Sequence, residues 1–156
     1  MTSTWLNEAI VTGRIDRVTA NMGAAGERIN DARRHVASAR SLADTDATLA
    51  LSACHDAIRK AITGQMVASG CRPKSGDGAH RVVLEYCRHE LSAVVSAEDV
   101  DAADSIRRDR ATAEYGDFAS RQISTKQVMW AAEVADRIVN AIATALASKP
   151  PRKRQP

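Results

Sequence analysis

STKQVMWAAEVADRIVNAIATALA, residues 124–147, decides the fold. Val128, Ala131, Ala135, Ile138, Ile142 and Leu146 return at steps of three and four, nearly a heptad seam, so they share one face of a long helix. A helix with one apolar face must bury it, and a bundle of similar helices is the simplest way to do so. Just upstream lies Ile106–Phe118, IRRDRATAEYGDF, with three arginines, two aspartates, a glutamate and a tyrosine in one helix-length window. At helical spacing Arg108, Thr112 and Tyr115 fall on one side, while Arg107, Arg110, Ala111 and Glu114 lie around the rest of the same turns. That helix starts at Ser96, where Asp99 stands in for the usual glutamate of a capping box, and is expected to end near Gly116.

Further upstream, Ala79–Val95 keeps the helical period through Val83, Leu84, Cys87, Leu91 and Val94. Before it, GCRPKSGDG (Gly70–Gly78) cannot continue a helix and reads as a flexible interhelical loop, with Cys71 expected to be exposed. Asp44-Thr45-Asp46 supplies a cap and first-turn acids for a helix running to about Ser69, whose stripe is Leu51, Cys54, Ile58 and Ile62. Another helix spans about Ala24–Leu42 through Ile29, Ala32, Val36 and Ala39, preceded by a loop at Asn21–Gly26. Trp5–Val11 suits a short helix that Gly13 stops. The expected architecture is an all-α, up-and-down bundle of four or five helices. Residues 1–22 form a short N-terminal helix and linker, 23–149 the bundle, and 150–156 a disordered basic tail.

Composition agrees. Hydrophobic residues make up 44% of the 156 but aromatics only 3%, and alanine dominates the apolar set, which favours closely packed helices over a sheet sandwich. The net charge of +3 and the pI near 9.0 come partly from the tail PPRKRQP, so charge alone gives little support for nucleic-acid binding. Cys54, Cys71 and Cys87 show no zinc spacing and read as reduced thiols; no metal or other cofactor is expected. No segment approaches the roughly 18 continuous apolar residues of a membrane span and no signal peptide is evident, so a cytoplasmic location without membrane contact is expected.

Arg108-Asp109-Arg110-Ala111-Thr112-Ala113-Glu114-Tyr115 resembles the Arg-Asn-x-x-x-His-x-Tyr motif of HEPN domains, the helical bundles of prokaryotic toxin–antitoxin and defence systems. HDAIRKAITGQMVASGCRP (His55–Pro73) and GDGAHRVVLEY (Gly76–Tyr86) extend the resemblance, to a small actinobacterial HEPN-like subfamily, across about Glu27–Ala147. The resemblance implies a homodimer with a composite ribonuclease site built from the arginine and the histidine. It also implies a tyrosine that a partner nucleotidyltransferase modifies in some systems. By position Arg108 matches the arginine, Asp109 the asparagine and Tyr115 the tyrosine, but Ala113 stands at the histidine position and can relay no proton.

Two other histidines are candidates for that role. His80 stands at a helix start beside Arg81, and His55 lies mid-helix beside Asp56; the plainer reading makes each a cap or packing residue. The arginine cluster has an equally plain reading, since Asp104 with Arg108 and Arg110 with Glu114 are four-residue ion pairs worth only ~0.2–0.5 kcal/mol each on an exposed helix. Ala111 and Ala113 leave room beside them for a phosphate or a partner backbone, and an arginine fork suits a phosphate. The glycine-rich turn lacks the spacing of a phosphate loop, and no basic recognition helix suggests a DNA-binding regulator. Trp130 and Tyr86 read as core or dimer-contact residues.

Two functions follow. One is an RNA-binding HEPN-like protein and metal-independent endoribonuclease, with Arg108 and Arg110 on the scissile phosphate, His80 carrying the proton, and Arg107, Asp109 and Tyr115 contacting RNA or a partner such as a nucleotidyltransferase-type antitoxin. The other is a non-catalytic helical interaction module in which Ala113 marks lost chemistry.

Overall fold

α3, Ala47–Ala68, is the helix on which the others pack. From Ala61 to Ala68 every residue is buried, so the amphipathic stripe widens to the whole circumference, as expected of a helix surrounded by neighbours. The computed structural model describes residues 2–115 and 122–149; of Tyr115 only the backbone is described. Around α3 stand α1 (Thr4–Val11), α2 (Met22–Leu42), α4 (Ala79–Glu90), α5 (Ala97–Tyr115) and α6 (Thr125–Ala147). The chain is an all-α helical bundle, with α2, α3, α5 and α6 its long members. The basic tail and the segment after Tyr115, including Gly116, lie outside the described residues.

Capping sets the boundaries. Asp46 accepts from the Leu49 amide at the start of α3, Ser124 from the Gln127 amide at the start of α6, and Ser96 from the Asp99 amide at the start of α5. Asp99 does not complete a capping box; its carboxylate instead binds Arg137 of α6 at 2.7 Å. The segment Asn21–Gly26 is not a loop. Asn21 Oδ1 accepts from the Ala24 amide at 2.9 Å, which starts α2 at Met22 and takes both glycines into the helix. α4 is shorter than its periodicity suggests, ending at Glu90.

The glycine-rich segment also departs from expectation. Its first part is a strand, β2 (Cys71–Pro73), paired antiparallel with β1 (Ile15–Arg17) with Arg17 opposite Cys71. Strand alternation turns Arg72 outward and Cys71 inward, so the Cys71 thiol is buried rather than exposed. All three cysteines are buried, and loss of hydration pushes Cys54 and Cys71 up to about 11 and Cys87 up to about 12. They stay protonated at neutral pH and are poor nucleophiles. Among the described residues no helix is long and apolar enough to cross a membrane.

The short ribbon, with α1, covers the outer end of α4. Ala9 and Ile15 join the core, Trp5 meets Tyr86 edge to face, and Ser3 hydrogen-bonds Glu90. Gly78, at φ +86°, then turns the chain into α4. That turn sets His80 in the first turn of α4, facing α3.

Candidate functional site

Three helices meet at the site, each contributing polar residues beside its apolar stripe. On α3, His55, Asp56, Arg59 and Thr63 follow one another at helical spacing. On α5 the core positions are Val100, Ala103 and Ile106, and beside them run Arg107, Arg110 and Glu114. α4 contributes His80.

His55 Nε2 and His80 Nδ1 share a hydrogen bond of 3.0 Å, with the rings 5.1 Å apart between centroids. His55 is only 4% exposed, whereas His80 opens to solvent. Burial lowers the pKa of His55 to about 4, helped by the charge of His80 and then of Arg110, against the pull of Asp56. His80 is lowered too, first by its partial burial, then by Arg59, Arg110 and Arg107, with Asp56 again opposing. At neutral pH the pair is therefore two neutral imidazoles sharing a proton. The nitrogen of His80 not engaged with His55 is Nε2.

Arg110 rather than Arg108 is the α5 arginine whose charge acts on both histidines. Its guanidinium meets Glu114 at 3.4 Å, and the Ser52 hydroxyl donates to the other Glu114 oxygen at 3.1 Å. Arg110 Nε is buried and has no hydrogen-bond partner among the described residues. Arg107 and Arg108 both contact Asp104, at 2.9 and 3.4 Å, and the Arg108 side chain is 66% exposed against 26% for Arg110. The ion pairs read from sequence, Asp104 with Arg108 and Arg110 with Glu114, are both present. Asp109 accepts from Gln127 Nε2 at 2.9 Å and so ties α5 to the start of α6. The Tyr115 side chain lies outside the described residues.

Beside His80 opens a cavity of about 230 Å³ lined by Asp56, Arg59, Thr63, Pro73, Ala79 and Val83 as well as His80. Arg59 Nε approaches Asp56 Oδ1 at 3.4 Å across its rim. Spacing within HDAIR would have grouped His55 with Arg59, but nothing in the sequence showed that α4 delivers His80 to that same face.

A family model described as HEPN domain matches residues 25–145, from the first turn of α2 to the last turn of α6. The chain belongs to the HEPN domain family. No curated protein and no solved structure matches it. Membership in the HEPN family points to a nucleotide- or RNA-related role, and HEPN domains commonly dimerise. Within this HEPN domain Ala113 stands at the motif's histidine position, and the charge environment of His80 on α4 includes Arg110 of the motif helix.

Proposed function

We propose that this HEPN-domain protein acts on RNA in a prokaryotic toxin–antitoxin or defence system, and that it is a cytoplasmic, metal-independent endoribonuclease working as a homodimer. The observation that carries this reading is the His55–His80 hydrogen bond, with Arg110 acting on both rings at the edge of an open cleft. In the tautomer where His80 Nδ1 donates to His55 Nε2, His80 Nε2 has a free lone pair and accepts the proton of an RNA 2′-hydroxyl. The 2′-oxygen then bonds to phosphorus, the P–O5′ bond breaks, and the products are a 2′,3′-cyclic phosphate and a 5′-hydroxyl, the leaving oxygen taking its proton from water. Lowered pKa values keep His80 in its neutral, basic form at pH 7.

Arg110 and Arg107 hold the scissile phosphate through the terminal nitrogens of their guanidinium forks. On this reading Arg110 takes the part that motif alignment gives to Arg108. Arg108 contributes on the outer side of α5, Asp109 contributes from the α6 side where Gln127 holds it, and Tyr115 is the hydroxyl on which a nucleotidyltransferase-type partner acts. His55 is a positioning residue that orients His80 and fixes its tautomer.

The test is cleavage of labelled single-stranded RNA and tRNA in EDTA by the wild type and His80→Ala. Removal of a general base is expected to cost about a hundredfold to ten-thousandfold, with a 2′,3′-cyclic phosphate among the wild-type products. An inactive but folded wild type would favour the second reading, a non-catalytic interaction module. The exposed Trp130 and Met129 on α6, together with Ala113, are the features in its favour.

A further inference from the structure

The cavity beside His80 differs in chemistry from the arginine side of the site. Its charged walls cancel, one aspartate against one arginine, with His80 neutral at pH 7. Such a cavity offers no surplus charge to a phosphate. Pro73 and Val83 add apolar surface, and Thr63, whose hydroxyl donates to the Lys60 carbonyl at 3.2 Å, keeps lone pairs for a ligand donor. A flat heterocycle with both donors and acceptors fits this lining, because the apolar walls cover its faces and the ion pair meets its edge.

We propose that this cavity is a nucleobase pocket that selects guanine for the RNA strand bound at His80. Asp56 is its specificity-determining residue. The proposal rests on the reading of His80 as the site of RNA cleavage. Its argument is the two-oxygen carboxylate: Arg59 approaches Oδ1 only at 3.4 Å, and no described group bonds Oδ2. Guanine is the standard base with two adjacent N–H donors, N1–H and the 2-amino group, and a carboxylate accepts both at once. Beside them guanine presents O6, an acceptor for the Arg59 guanidinium. Uracil and adenine place a single donor position against the carboxylate, and cytosine places its amino group there with no second donor beside it. The arrangement puts the base on the α3–α4 side of His80 and the phosphate on the α5 side, with the imidazole between them.

The experiment measures binding of guanosine, inosine, adenosine, cytidine and uridine 3′-monophosphates to the full chain by calorimetry, beside RNA cleavage by the same preparation. Wild type is expected to bind the guanosine nucleotide about tenfold or more tightly than each of the others. Inosine lacks only the 2-amino group and so isolates the second hydrogen bond. Asp56→Asn is expected to abolish the preference for guanosine over inosine while keeping its thermal melt, since the Asp56–Arg59 pair is half-exposed. Equal affinity for all five, or a preference for another base, overturns the pocket. RNA cleavage without nucleotide binding overturns it too and leaves the reading of His80 intact. Guanosine selectivity lost in Asp56→Asn, without any RNA cleavage, supports the pocket and sinks the catalytic reading, while absence of both activities sinks both.

Discussion

The two sides of α3 are built by opposite rules. Towards α2 it is closed: Ala57 and Ala61 are fully buried, and a Cβ added to Gly64 would lie 3.2 Å from the Ala25 carbonyl oxygen. Towards α4 and α5 the same helix presents His55, Asp56, Arg59 and Thr63, and there the structure opens into the cavity beside His80. Small residues bring helices together and leave nothing for a ligand, whereas long polar residues hold helices apart around a space. Both sides grow from one continuous amphipathic pattern, and the contrast between them locates the chemistry.

Acid should separate the two sides most strongly. The unperturbed histidine value is 6.5, and in the folded chain His55 titrates at about 4. Between those values the unfolded chain holds the extra proton. Stability is therefore complete above about pH 6.5 and declines as pH falls towards 4, by about 3 kcal/mol for a shift of this size. The lowered pKa of His80 acts in the same direction. Urea unfolding of the wild type and His55→Asn at pH 7.5 and pH 5 isolates the effect. The wild type should lose markedly more stability on acidification, and parallel losses would break the comparison.

On the closed side, Gly64→Val is expected to cost about 1–3 kcal/mol, because the obstacle is backbone rather than a side chain that can swing away. A thermal melt measures it, and an unchanged melting temperature would mean that the α2–α3 seam has slack. The smallest effect on stability belongs to Arg59→Ala on the open side. Its pair with Asp56 is half-exposed and contributes below about 1 kcal/mol, so the melt should barely move while nucleotide binding weakens.

Much of this was legible in the sequence. Steps of three and four gave α3 and α6 nearly to their ends, because those helices bury alanine and branched residues on a regular stripe, while the start of α5 was legible from its Ser96 cap. Asn21–Gly26 misled because two glycines outweigh, on composition, a single capping asparagine whose hydrogen bond to Ala24 starts the helix. β1 and β2 have three residues each, too few for an alternation to register, so the burial of Cys71 could not be foreseen. Arg108 drew attention through motif alignment. The phase of Val100, Ala103 and Ile106 carries the better information, since it sets Arg107 and Arg110 beside the buried stripe and leaves Arg108 in solvent. The contact between His55 and His80 joins residues 25 apart and depends on the turn at Gly78, which no local pattern specifies.

The most direct test of the account is cleavage of one RNA substrate in EDTA by Arg110→Ala and Arg108→Ala, with folding verified by circular dichroism. The account predicts a loss of about a hundredfold or more for Arg110→Ala, in keeping with removal of a donor to transition-state charge, and a change of only a few-fold for Arg108→Ala. The reverse order, with Arg108→Ala inactive and Arg110→Ala near wild type, would contradict it and move the site to the outer face of α5.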